Sequence, residues 1–483
     1  MKSKIAIIIT IVWLLPSCSL DINDDPNNPT TAALLELLPA AEVGLIGPFS
    51  NIVNAIGSSV VQTRVSTRHD NYSVVPANMA GLWRDLYPGG LKDLEEIIVL
   101  GTETEDFHYV GIAKIFKAYI FSMMVDVWND VPYTDAFQPE LEEIRFDSGA
   151  DIYNLLFLLI DEGIADLNKS SNLSPGAEDL IYGGDLVKWQ KMGETLKLKM
   201  LIQIRLVDPS VGGRIQTIID GGNFISSASD DFQFNFNSSS APDNRMPLFV
   251  SDYISRIDNR ISTYFHGLLD DNNDPRIPFY FFNQTPGEFI GRDSGNPEGL
   301  ATFEDQDMRT FHGVYPAGGQ FDDGNGGATN ASSGLAGAGT YRMITNAMRI
   351  FMEAEAVLEL GVTGSAPLAT LFTDGIAEAM SKVNEIGVGA ISQADMDTYV
   401  NARLAEFNAA DNAGKLRLVM FEKYIHQFGN GLEQYNDWRR TGFPDDLTLI
   451  VQTNPTLNRF PYPSNENAPS PLPANDAFVF WDN

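Results

Sequence analysis

The sequence predicts a mainly α protein, a scaffold of packed helix pairs carrying long irregular loops and a few short strands. Three observations predict it. Apolar residues recur near every 3.6 positions through most of the chain. Gly, Pro, Asn and Asp crowd instead into residues 271–340 and the tail after Gly442. With 483 residues, 44% of them hydrophobic, the chain can bury a large core.

Residues 1–17 read as an export signal. Lys2 and Lys4 precede an apolar run over 5–15, broken only by Thr10, and Leu15-Pro16-Ser17 lead into Cys18. That run is too short to cross about 30 Å of hydrocarbon, which takes about 20 apolar residues. Leu at −3, Ser at −1 and Cys at +1 resemble a bacterial lipobox, with Pro16 an unusual residue at −2. On that reading Cys18, the only cysteine, becomes the acylated N-terminus, and several acyl chains anchor stably where one does not. The alternative is an ordinary secretory signal with a bystander cysteine. Residues 18–30 then form a flexible tether, polar and acidic with two prolines.

The body, 31–483, is expected to be one domain. Helical patterns cover 76–100, 106–130, 149–168, 185–207, 342–360 and 416–440, with shorter ones at 31–45, 252–270, 368–386 and 393–407. The second stops at Val131-Pro132, because proline disfavours helix in the residue before it. The 342–360 pattern ends at Gly361, a glycine where a helix commonly closes. No exact repeat is visible, yet the succession of helix pairs fits degenerate tetratricopeptide packing. The insert at 271–340 is too long for a simple linker, so short strands and packed binding loops are expected there.

Composition excludes several functions. Against 32 basic residues stand 64 acidic ones, a net charge of −32. That repels nucleic acid and anionic lipid surfaces alike. One cysteine allows no internal disulfide. The five histidines show no zinc-binding spacing, and no nucleophile elbow or phosphate loop is present. Asp322-Asp323-Gly324-Asn325-Gly326 places oxygen ligands at loop spacing but lacks the closing glutamate of an EF-hand. It reads as a turn, the alternative being calcium held by Asp322, Asp323 and Asn325. No cofactor is expected.

Seven segments in order resemble the SusD/RagB family of outer-membrane nutrient-binding lipoproteins, most nearly its second, SusD-like subgroup. They are Asp24-Asp25-Pro26-Asn27-Asn28-Pro29-Thr30; Asp126-Val127-Trp128-Asn129-Asp130-Val131-Pro132-Tyr133, with Asn129 where glycine is usual; and Trp189 with Glu194 to Met200, where Lys199 replaces an arginine. Asp274-Pro275-Arg276, Met352-Glu353-Ala354-Glu355-Ala356, the Gly431 to Gly442 signature, and Arg459-Phe460-Pro461-Tyr462-Pro463 follow. The resemblance implies a single tetratricopeptide-like α-helical body with ligand-carrying loops. It also implies a place on the outer face of a Bacteroidetes outer membrane. There such proteins act as lids over a SusC-like TonB-dependent transporter, capturing glycans or other nutrients. The acidic residues after Cys18 only loosely match a surface-export signal, so surface exposure rests on the resemblance.

Within the motifs, residue chemistry reads as structural. Glu353 and Glu355 lie on a helix beside alanines, and a buried glutamate there needs an arginine partner. Arg439 and Arg440, near a helix end, can hold a carboxylate bidentately or satisfy terminal carbonyls.

A glycan site needs aromatic faces flanked by hydrogen-bonding groups. In the insert, alternation along a strand would put Tyr280 and Phe282 on one face, followed by Asn283, Arg292 and Tyr315. A second polar-aromatic cluster is His69, Asp70, Asn71 and Tyr72. The competing reading makes these rings small cores under long loops, and Trp83 and Tyr87, spaced i, i+4, read as core. The function expected is binding without catalysis: an oligosaccharide, or else a peptide, held for a transporter. The alternatives are a glycoside hydrolase using a carboxylate pair and an adhesive surface protein with no small ligand.

Overall fold

The apolar periodicity places most helices correctly, and the departures from it occur where glycine, proline or a capping residue intervenes. The computed structural model describes residues 33–66, 74–138, 140–255, 259–294, 308–327, 334–447, 457–464, 472–473 and 478–482. Cys18, the signal and tether, and the His69, Asp70, Asn71 and Tyr72 cluster lie outside the described residues.

α1 (Leu34–Val60) is one continuous helix with a π-helical turn at Phe49–Val53. By length and composition alone it could cross a membrane. However, 67% of its most apolar window is buried inside the protein, which makes it a core helix. β1 (Arg64–Ser66) follows. The helix expected over 76–100 is divided into α2 (Met79–Leu86), a π-helical turn (Tyr87–Leu91) and α3 (Lys92–Glu103). Pro88, which lacks an N–H, sits in that turn. Gly90 lets α1 approach, since a Cβ there would lie 2.5 Å from Leu45 Cγ.

α4 (Phe107–Trp128), α5 (Gly149–Leu167), α6 (Leu186–Gln203) and α7 (Gly212–Gly221) continue the body. Ser148 and Asp185 cap α5 and α6 by accepting N–H groups of Asp151 at 3.2 Å and Val187 at 3.1 Å. α4 stops before Val131-Pro132, as expected, and Asn129 turns the chain at φ +71°. That left-handed backbone is the physical reason glycine suits the position and asparagine is tolerated there.

Next come β2 (Phe232–Asn235), β3 (Asn259–Ile261), α8 (Thr263–Asp270), β4 (Phe281–Phe282), β5 (Phe311–His312) and β6 (Thr340–Ile344). α9 (Asn346–Leu360), α10 (Leu368–Asn384), α11 (Gln393–Ala409), α12 (Asn412–His426) and α13 (Gly431–Thr441) follow. Three expectations are corrected here. The first half of 252–270 is not one helix, because β3 occupies Asn259–Ile261. α9 begins only after Thr345, which caps it, while the preceding residues pair as β6. The 416–440 pattern splits at Gly429, whose φ of +101° no helix accommodates.

Among the described residues three two-stranded antiparallel ladders form: β1 with β3, β2 with β6, and β4 with β5. Successive helices pack together from α3 through α6 and again from α9 through α11; α12 returns to α9, and α13 packs on α1. α6 also touches α9, so one continuous core joins the two halves. A small satellite core of Met246, Leu248, Phe249, Tyr253, Phe282 and Phe311 lies under the insert.

Ion pairs fix helix register inside the body. Arg440 holds Glu355 bidentately, and Arg205 Nε donates to Glu355 Oε1 at 2.6 Å. Burial would raise the Glu355 carboxyl, but Arg440 and Arg205 outweigh it and hold it at about 2. Arg440 also pairs with Asp437 at 2.8 Å, and Asp437 with Lys423 at 2.9 Å. Glu353 takes Arg349 at 2.5 Å. The expected arginine partners are therefore present. Arg439 instead satisfies carbonyls, donating to Asp126 O at 2.6 Å and Asn458 O at 2.9 Å. The C-terminal signature docks on the end of α4, where Trp128 Nε1 donates to Pro461 O at 3.0 Å.

Candidate ligand-binding face

β1 and β3 pair with Ser66 opposite Asn259. The chain therefore leaves Ser66 toward residues 67–73 at the point where it returns from residues 256–258. A parallel bridge from Ser262 to Arg292 adds the insert to the same ladder. Arg309, which follows residues 295–307, donates to Asn259 O at 3.0 Å and to Asp252 O at 3.1 Å. The described ends of three loops thus converge on one scaffold.

That scaffold is a buried ionic cluster. Asp252 accepts from Asn259 Nδ2 at 3.1 Å and from His312 Nδ1 at 2.5 Å. Arg64 donates to Asn259 Oδ1, and Arg309 lies over the Phe311 ring at 4.6 Å. Burial pushes the Asp252 carboxyl up, but His312, Arg309 and Arg64 more than offset this and hold it well below the usual carboxylate range. The Tyr253 hydroxyl donates to His312 O at 2.7 Å, tying the cluster to the satellite core. A buried charge so paired fixes geometry, because each loss would strand a partner.

Above it, the loops of the insert bind one another. Thr310 Oγ1 donates to Asn283 Oδ1 at 2.7 Å and accepts from Ile290 N at 2.9 Å, while Gln284 Nε2 reaches Arg309 O at 2.8 Å. Asp322 Oδ2 accepts from Asn283 N at 3.1 Å, and its Oδ1 from Gly324 N at 3.0 Å. Asp323 accepts from Asn325 N at 3.0 Å. Asp322 and Asp323 are therefore turn-forming residues with their carboxylate oxygens on backbone N–H groups, and Asn325 supplies one of those N–H groups. Among the described residues no group of His, Cys, Asp or Glu is arranged to hold a metal ion.

The aromatic candidates are corrected by burial. Tyr280, Phe282 and Tyr315 are each at most 1% exposed, so none presents a face to solvent. Tyr280 stacks on Tyr315 at 4.9 Å and donates to Ile425 O at 3.2 Å, while Phe282 belongs to the satellite core. Nor do Tyr280 and Phe282 share a strand face: Ile277–Tyr280 is a helical turn and only Phe281–Phe282 is extended. The run of four rings is buried, which removes its apolar area from water. Asn283 remains half-buried on the loop surface, and Arg292 is buried on the ladder.

One platform escaped the sequence. Phe289 stacks on His266 with centroids 3.7 Å apart and planes 16° from parallel, both rings half-buried. Burial lowers the His266 pKa, favouring a neutral ring. Asp293 accepts from Thr263 Oγ1 nearby. Nothing local in the sequence links Phe289 to a histidine on α8.

Comparison with known proteins matches residues 26–463 to the SusD-like family whose description is "Starch-binding associating with outer membrane". Solved structures share the fold. A "chitin-binding protein" is 22% identical with a TM-score of 0.72, over 90% of this chain and 93% of that one. A SusD homolog from Bacteroides uniformis is 19% identical with a TM-score of 0.73, over 92% and 99%. A chitin-binding SusD homolog from Flavobacterium johnsoniae is 18% identical with a TM-score of 0.64, over 87% and 86%. No curated protein matches the sequence.

Proposed function

Because the chain belongs to the SusD-like family, we propose that it captures neutral oligosaccharides at the loop-bearing face and passes them to a SusC-like TonB-dependent transporter. The observation that carries this reading is the convergence of three loop ends on the Asp252 cluster. A charge-paired base beneath loops is what a binding surface needs, since ordering the loops in advance lowers the cost of binding. The stacked Phe289 and His266 offer a face for sugar C–H groups, with Asn283 and Asp293 beside it for hydroxyls. Residues His69, Asp70, Asn71 and Tyr72, which follow β1, complete the site in this proposal.

Cys18 carries the lipid anchor at the outer membrane, and residues 18–30 form the strap on which the body swings as a lid exposed at the cell surface. The role is binding without catalysis. Native electrophoresis through gels containing starch, chitin, xylan or mannan tests the ligand class. Retardation by at least one polysaccharide, with no oligosaccharide released, is the expected result. Release of product would make the protein a hydrolase, and retardation by none alongside binding of a peptide panel would make it a peptide receptor. Cys18→Ala should move the protein from the membrane fraction to the soluble one.

A further inference from the structure

Well apart in sequence from the insert, a groove runs between the π-helical turn with α3 and the loop over residues 132–146. It consists of two adjoining hollows of about 400 Å³ and about 590 Å³, which share Tyr87, Pro88, Ala136 and Ile144. Each is in the size range of small-ligand sites, roughly 300–1,000 Å³. Both walls are built rigidly. The π-helical turn Tyr87–Leu91 interrupts the helix at the groove, and such turns recur at functional sites.

The opposite wall is clasped at its base by Asp147, which accepts from Tyr133 N at 2.9 Å and Thr134 N at 2.8 Å. Arg145 pairs with Asp135 at 2.8 Å across the same loop. Lys117 Nζ lies 5.6 Å from both the Tyr133 and Phe137 ring centroids and 2.5 Å from Glu95, holding Phe137 in place.

The lining combines ring faces with polar groups. Tyr87 and Phe137, both half-buried, stand 6.3 Å apart at 44°. Lys92, Glu96 and Gln138 edge the wider hollow. The Glu96 carboxylate makes no hydrogen bond or ion pair among the described residues. At the narrower hollow Trp83, 4% exposed, has an indole N–H with no hydrogen-bond acceptor among the described residues. An unpaired buried donor costs free energy that a ligand oxygen would recover. Glu95, Glu96 and the net charge of −32 disfavour an anionic ligand.

We infer that this groove is a second ligand site, taking one or two units of an uncharged saccharide against Tyr87 and Phe137, with hydroxyls bonded to Glu96 and Gln138. It shares only the ligand class with the loop-face reading and uses none of its residues. Hydrogen exchange of the intact protein with malto-, chito-, cello-, xylo- and mannohexaose tests it, with titration of each oligosaccharide that protects.

Protection of residues 83–99 and 132–146 that survives Phe289→Ala is expected. Phe137→Ala and Glu96→Gln should each weaken apparent affinity at the groove roughly 2- to 10-fold. Glu96→Gln leaves packing intact, so its effect is not one of folding. Protection of the loop face alone would overturn the groove and leave the loop-face reading standing. Protection of the groove alone would do the reverse, and protection of neither by any hexaose would overturn both.

Discussion

Two buried ionic clusters, each setting carboxylate against arginine, hold different parts of this molecule. The Glu355 cluster clamps helix to helix, joining α9 to α13 through Arg440 and to the end of α6 through Arg205. The Asp252 cluster clamps loop ends to strands through Asn259, Arg309 and His312. The first lies in a continuous core, so its loss should be felt as stability. The second lies under the proposed ligand-binding face, so on that proposal its loss should be felt as binding. On that proposal, stability and recognition belong to separate charged clusters.

The largest expected effect is on the helical clamp. Glu355→Ala removes the carboxylate that Arg440 and Arg205 share in the core, leaving them only Asp437 and Glu359, and should cost about 3–5 kcal/mol in chemical denaturation, as broken buried pairs do. A loss under about 1 kcal/mol would mean that the pair is not a clamp. The cluster also predicts a pH dependence. The Glu355 carboxyl sits at about 2 in the folded protein against an ordinary 4.5. A depressed carboxyl contributes its full stability above the unfolded value and loses it as pH falls through the folded one. The wild type should therefore lose this contribution between about pH 4.5 and about pH 2, and Glu355→Gln should flatten that limb of a Tm-against-pH curve.

Asp252→Asn should separate the two regions. It removes the charge facing His312, Arg309 and Arg64, and a loss of about 1–3 kcal/mol is expected. Oligosaccharide affinity should fall about 10-fold, while far-UV circular dichroism stays helical. Equal affinity in the folded variant would show that the scaffold does not organise the face. Smaller still, Phe289→Ala should weaken affinity roughly 2- to 10-fold with little change in Tm. The smallest effect belongs to Asp322→Asn, about 0.5–1.5 kcal/mol from its backbone hydrogen bonds, with no Tm shift on adding calcium to the wild type.

The same contrast explains what the sequence disclosed. The helical body was legible because its signals are local: the apolar period, the stop at Val131-Pro132, and Gly361 closing α9 at φ +64°. The need for arginine beside Glu355 was legible too, since an acid among alanines on a buried helix allows little else. The loop face was not. Asp252 and His312 are 60 residues apart, and Arg64 and Asn259 are 195 apart, with no periodicity to join them. Tyr280, Phe282 and Tyr315 look like a ligand platform until tertiary packing buries them. Phe289 meets His266 only because the Ser262 to Arg292 bridge aligns the insert with α8. The groove beside Tyr87 was missed for the opposite reason. Its i, i+4 spacing with Trp83 reads as core, and Trp83 is core, but Tyr87, in the π-helical turn, packs against the core only on one side and is half-buried.

Calorimetric titration of the purified protein and of Phe289→Ala with neutral hexaoses tests the central claim most directly. The account predicts heat from at least one hexaose in the wild type, a weaker curve in the variant, and intact hexaose recovered afterwards. Absence of heat from every hexaose, or recovery of cleaved sugar, would contradict it.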